Sequence, residues 1–85
     1  MHYVYILYSA RMNQFYIGST SQHPLERLRK HLYNHAGFTG KAKDWVLKFY
    51  ETYETLAEAQ KRERQLKGWK SAKRIEELIR SSSTE

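Results

Sequence analysis

The spacing of apolar positions changes along the chain, and each change marks an element. His2 to Tyr8 alternates loosely and is rich in Tyr, Val and Ile, side chains suited to a pleated surface, so it reads as a strand. Ser9 to Asn13 is short and polar, a hairpin connection, and Gln14 to Gly18 reads as the second strand. Ser19, Thr20 and Ser21 form a loop that leads into a helix. Pro24 suits the first helical turn, where its missing N–H costs nothing. Leu25, Leu28 and Leu32 then recur at helical spacing, which predicts a helix from about Pro24 to Asn34. Gly37 and Gly40 bracket a loop holding Phe38 and Thr39, and Trp45 to Tyr53 reads as the third strand. Thr55 and Glu58 have capping-box spacing and start a second helix that ends near Gly68. Ser71 can cap a third helix carrying Ile75, Leu78 and Ile79, and Ser81 to Glu85 is a polar tail. The order β-β-α-β-α-α describes an α+β fold, a small three-stranded antiparallel sheet flanked by helices. The domain is expected over residues 1–80, with a flexible tail over 81–85.

Composition narrows the class. A chain of 85 residues allows one domain with a thin margin of stability. It has no Cys, which excludes disulfides and thiolate metal sites and fits a reducing compartment. The apolar run from His2 to Leu7 is too short for a signal peptide or a membrane span. A soluble, cytoplasmic protein with no membrane partner is expected. Fifteen Lys and Arg against nine Asp and Glu give a formal charge of +6, a field that attracts polyanions such as DNA or RNA. The charge is uneven. From Gln60 to Arg80 eight basic residues (Lys61, Arg62, Arg64, Lys67, Lys70, Lys73, Arg74, Arg80) face three acids. That run is either a solvated helix face or a polyanion-binding one.

Glu63 breaks the pattern most sharply. Leu56, Ala59, Glu63 and Leu66 fall at i, i+3, i+7 and i+10, one face of the second helix, so a carboxylate stands in an apolar stripe. An unpaired buried carboxylate costs several kcal/mol. Glu63 therefore needs a cation, either an Arg or Lys partner or a metal. Arg27 and His31, four residues apart, share a face of the first helix. They are either solvated or a phosphate fork beside a group that exchanges protons near neutral pH. Tyr5 and Tyr16 lie on adjacent strands and suit packing as well as chemistry. Gly18 lets the backbone turn or approach a ligand closely.

In combination these residues resemble the GIY-YIG nuclease superfamily. The second half-motif stands intact as Tyr16-Ile17-Gly18, and Tyr3-Val4-Tyr5 occupies the place of Gly-Ile-Tyr, keeping the functional tyrosine as Tyr5. Arg27 comes nine residues after Gly18 and His31 four later, as in the family's first helix. The stretch from Glu58 to Lys67 resembles the family's metal-binding helix, which puts the metal ligand at Glu63. The resemblance covers nearly the whole chain and is greatest to the small stand-alone bacterial members. Three features depart from the pattern. Tyr3 replaces the first Gly, which the motif tolerates if its side chain points away from the site. Ser19 follows Gly18 where some repair-associated members carry Lys. No counterpart is found of the Asn that some members place after the metal-binding helix.

The resemblance implies metal-dependent hydrolysis of phosphodiester bonds in nucleic acid, DNA above all, including structured or repair intermediates. It implies Mg²⁺ or Mn²⁺ with Glu63 as the only protein ligand, a chemistry Mg²⁺ accepts because it keeps several waters. Arg27 would bind the scissile phosphate, Tyr5 would take the proton of the attacking water as a base or within a relay, and Tyr16 and His31 would orient that constellation. Gly18 and the basic residues Lys61, Arg64, Lys67, Lys70, Lys73 and Arg74 are expected to contact substrate. Phe38 and Trp69 either stack on splayed bases or simply pack. A domain this small draws its specificity from itself, from a partner or from homodimerisation. The alternative function is a non-catalytic nucleic-acid-binding module of the same fold.

Overall fold

Strand β1 (His2–Ser9) carries four consecutive buried side chains, Val4, Tyr5, Ile6 and Leu7. Side chains of a strand alternate between faces, so such a run has to be covered on both sides. In the computed structural model, which describes residues 1–33 and 43–82, β1 is the middle of the three strands. It pairs antiparallel with β2 (Gln14–Thr20) and with β3 (Val46–Tyr53), giving the strand order β2-β1-β3. Val4 and Ile6 face one core with Phe49, Ala59, Leu66 and Ile75, built with helices α2 (Leu56–Trp69) and α3 (Ala72–Ser82). Tyr5 and Leu7 face the other core with Trp45, Leu28 and Leu32, built with helix α1 (Pro24–Tyr33). The element order is β-β-α-β-α-α, and the fold is α+β.

The local signals act as their chemistry requires. Thr55 Oγ1 accepts from the Glu58 N–H at 3.2 Å, and Glu58 Oε1 accepts from the Thr55 N–H at 3.3 Å, closing the capping box of α2. Ser71 Oγ accepts from the Arg74 N–H at 3.2 Å and caps α3. Pro24 opens α1, and the Leu25 N–H is taken up by His23 Nδ1 at 3.2 Å. The hairpin turn uses Asn13 at φ 52°, a left-handed conformation that Asn tolerates.

Several boundaries differ from the sequence reading, and pairing explains most of them. Ser19 and Thr20, read as loop, are strand because they pair with Val4 and Tyr3. β1 extends to Ser9, which pairs with Gln14, and β3 begins at Val46 rather than Trp45. The ladder between β1 and β3 shifts register between Ile6 and Leu7: Ile6 faces Phe49 and Leu7 faces Leu47, so Lys48 is passed over. This bulge sends Phe49 and Leu47 to opposite cores, although two positions apart they would otherwise share a face. Leu56, placed in the apolar stripe of α2 by its spacing, is 46% exposed because it is the first helical residue. α3 runs to Ser82, with the Ser81 hydroxyl donating to the Leu78 carbonyl, two residues into the stretch read as tail. Asn34 and the expected loop with Gly37, Phe38, Thr39 and Gly40 lie outside the described residues.

The hairpin is tied to the start of β3 by Asp44. Buried Ser9 donates its hydroxyl to Asp44 Oδ1 at 2.6 Å, and the Arg11 N–H donates to Oδ2 at 2.7 Å. These two bonds, the Ser9 hydroxyl first, hold the Asp44 carboxyl below its ordinary value. A lowered folded-state pKa contributes stability that is fully present above the unfolded value of about 3.9 and is lost as pH falls through the folded value. Asp44→Asn should therefore flatten the acid limb of the stability curve below about pH 4 relative to the wild type, as read by urea melts across pH. Leu66→Ala, in the centre of its core, should cost about 2–5 kcal/mol, while Leu56→Ala should stay within about 0.5 kcal/mol in the same melts.

Candidate active site

Tyr5 sits in β1 directly opposite Gly18 on β2. A Cβ added to Gly18 would stand 2.6 Å from the Tyr5 hydroxyl, 2.8 Å from its Cζ and 3.2 Å from Tyr16 Cε1. The Tyr5 phenol thus fills the space that any other residue at position 18 would claim with its own side chain. Tyr16, on the same sheet face, lies with its ring 6.3 Å from that of Tyr5 and 6.4 Å from that of Trp45. Arg27, one turn into α1, donates a hydrogen bond to the Tyr5 oxygen. Burial, joined by the neighbouring Tyr16, pushes the Tyr5 phenol up to about 12 despite the opposing pull of Arg27. Tyr5 is therefore a neutral phenol at physiological pH, able both to donate and to accept.

Glu63 approaches the same place from α2. Its charge acts on Tyr5, its side chain is 19% exposed, and the Lys67 ammonium donates to its Oε2 at 2.6 Å. The Ser19 hydroxyl donates to the same carboxylate. Burial alone would raise the Glu63 pKa, but these two donors outweigh it and leave the carboxyl below its ordinary value. Of the alternatives that the apolar stripe left open, an Arg or Lys partner or a metal, the structure shows a lysine at Glu63. The i,i+4 spacing of Glu63 and Lys67 carried that information. Ser19 carried no local signal; only strand pairing next to Gly18 brings it to Glu63.

Of the five residues expected to be catalytic, the structure gathers Tyr5, Tyr16, Arg27 and Glu63 from β1, β2, α1 and α2. His31 lies in α1, and its side chain falls outside the described residues. Tyr3 stands on the Tyr5 face of β1, and its ring engages His23 at 5.7 Å and Tyr50 at 6.0 Å. Among the residues expected to bind substrate, Lys61, Arg64 and Lys73 are exposed. Lys70 holds the left-handed position that ends α2, at φ 50° and ψ 35°. Arg74 stacks over Trp69 at 4.2 Å, and Arg62 lies over the same ring at 5.7 Å, so both guanidinium groups occupy the indole that was a stacking candidate. Arg62 is further held by Glu51, with Nε donating to Oε1 at 3.0 Å. It belongs to the scaffold rather than to the free basic surface. Phe38 lies outside the described residues.

A divalent cation can be tested against these donors. Among the described residues no cluster of three or more His, Cys, Asp or Glu side chains forms a cage. One ionised, partly exposed carboxylate beside an arginine suits a hydrated Mg²⁺ or Mn²⁺, which uses one or two carboxylates and fills its shell with water and phosphate. It does not suit a structural Zn²⁺ or a Ca²⁺ cage.

The family model for the GIY-YIG catalytic domain matches residues 1–76. This chain belongs to the GIY-YIG family. The match spans β1 to the first half of α3 and includes each of the gathered side chains. Searches of curated proteins and of solved structures returned no match. GIY-YIG proteins form a family of nucleases that act on nucleic acid and in general depend on a divalent metal. None of the helices among the described residues is long and apolar enough to cross a membrane.

The closeness of Tyr5 to Gly18 is directly testable. Gly18→Ala should destabilise this GIY-YIG protein by about 1–3 kcal/mol, because the buried phenol cannot retreat. The same substitution in a Tyr5→Phe background, where the nearest atom is gone, should cost less. A double-mutant cycle in urea measures the difference.

Proposed function

We propose that this GIY-YIG protein is a divalent-metal-dependent endonuclease that hydrolyses DNA, with structured or repair intermediates as its substrates, in the cytoplasm. The observation that carries this reading is the convergence of Tyr5, Arg27 and ionised Glu63 from three separate elements over a glycine floor.

Arg27 binds the scissile phosphate and stabilises the charge that develops on it. Tyr5, neutral and hydrogen-bonded to Arg27, accepts a hydrogen bond from the attacking water and belongs to a proton relay rather than acting as a standing phenolate. Tyr16 and His31 orient that relay. Glu63 would hold the cation, which when bound supplies Lewis-acid stabilisation of the phosphoryl and leaving oxygens. Ser19 and Lys67 keep the carboxylate ionised and aimed. Lys61, Arg64, Lys67, Lys70, Lys73 and Arg74 track the phosphate backbone without reading sequence.

The second reading is a non-catalytic nucleic-acid-binding module. It is favoured by the short Lys67–Glu63 pair, because a carboxylate neutralised in this way sits beside a polyanion without needing a metal. Cleavage of labelled duplex, flap, fork, four-way junction, single-stranded DNA and RNA separates the two readings. Cutting should require Mg²⁺ or Mn²⁺, stop in EDTA and disappear in Glu63→Gln. Arg27→Ala should lose roughly 10²–10³ in rate. Binding without cutting in either metal, with Glu63→Gln binding like the wild type, would establish the module instead.

A further inference from the structure

A groove of about 420 Å³ runs along β2 where that strand meets the junction of α2 and α3. Its lining includes Phe15, Tyr16 and Ile17 of β2, Leu66 and Lys67 of α2, and Lys70 at the turn. Two features tie it to the site above. Tyr16 lines it, and Lys67, which donates to Glu63, lines it as well. Its volume lies within the range of clefts that take small ligands.

The lining is amphipathic in a specific way. Phe15, Ile17 and Leu66 offer an apolar floor, and the two lysines stand along it. Among the described residues no carboxylate pairs with Lys70. Its backbone holds the left-handed conformation that glycine adopts without cost and that other residues adopt at some expense. A lysine thus stands where glycine would be easier. β2 also lies at the end of the strand order, and alternate residues of such a strand turn N–H and C=O groups away from the ladder. An apolar floor, polar main chain along one side and two cations suit a nucleobase with its attached phosphate.

We propose that this groove is a subsite for one unpaired nucleobase flanking the scissile phosphate, and that the protein therefore acts on strands with an unpaired nucleotide beside the cut. The subsite rests on the nuclease reading for its position next to the reacting phosphate. A base inside a duplex reaches such a groove only by leaving the stack, at a cost of a few kcal/mol, whereas an unpaired base does not meet that cost. The adjacent phosphates are held by Lys67 and Lys70.

The test is fluorescence anisotropy in EDTA, where nothing is cut, comparing a perfect duplex with the same duplex carrying one unpaired nucleotide or a single-stranded branch. Wild type should bind the unpaired forms at least about tenfold more tightly. Ala72→Trp, which places a large ring in the groove from the start of α3, should reduce that ratio towards one. Lys70→Gly should also reduce it several-fold while holding or raising the thermal midpoint, because the left-handed position is relieved. This variant keeps the proposal falsifiable if Ala72→Trp does not fold. Equal affinity of wild type for both forms, or a ratio unchanged in the variants, overturns the subsite. Cutting in Mg²⁺ without any preference overturns the subsite and leaves the nuclease standing. A preference that the variants abolish, without cutting in Mg²⁺, supports nucleobase binding in the groove but overturns the nuclease and with it the groove's place beside a scissile phosphate.

Discussion

The burial of β1 on both faces is the constraint from which the rest of the molecule follows. Val4, Tyr5, Ile6 and Leu7 are all buried, so two separate cores have to be built on one short sheet. One face takes α2 and α3, the other takes α1, and the flanking strands close the ladder on either side. That division puts Tyr5 on the α1 face with Arg27, while Glu63 arrives from the helix of the opposite face. The two groups approach each other beside β2, where Gly18 leaves room for the Tyr5 phenol and Ser19 faces the Glu63 carboxylate. The site is thus a product of the two-sided core rather than an addition to it.

The electrostatics of the site are a balance between burial and donors. Burial opposes the charged form of both Tyr5 and Glu63, yet the outcomes differ. The phenol, with Arg27 among its neighbours, stays neutral, pushed up to about 12 by burial. The carboxylate has Lys67 and Ser19 and stays charged. Two neighbouring acidic groups are thereby in opposite protonation states at neutral pH, the phenol neutral and the carboxylate charged. The pairing of Lys67 with Glu63 also links the site to the groove that continues along β2, since the same lysine borders both.

The basic helices divide their charge between scaffold and surface. Arg62 engages Glu51, Gln65 and the Trp69 ring, fastening α2 to β3, and Arg74 stacks over the same indole. Lys61, Arg64 and Lys73 remain open to a polyanion. A count of positive charges treats these residues alike, whereas their partners separate them.

Local chemistry determined most of the fold. The capping box of α2, the Ser71 cap, Pro24 at the head of α1 and the leucine spacing act within a few residues of chain, so they are legible without a structure. The candidate site residues were legible as an ordered motif, and the demand of Glu63 for a cation was legible from its place in an apolar stripe. Four things were decided only by packing. The bulge opposite Ile6 and Leu7 sends Phe49 and Leu47 to different cores, because register is set by a partner strand and not by the strand itself. Ser19 becomes a donor to Glu63 through pairing that joins residues far apart in the chain. Trp69 is covered by two arginines from two helices. The glycine of the Tyr16-Ile17-Gly18 motif is required by the Tyr5 phenol across the ladder, an atom that no pattern of neighbouring residues along the chain could place.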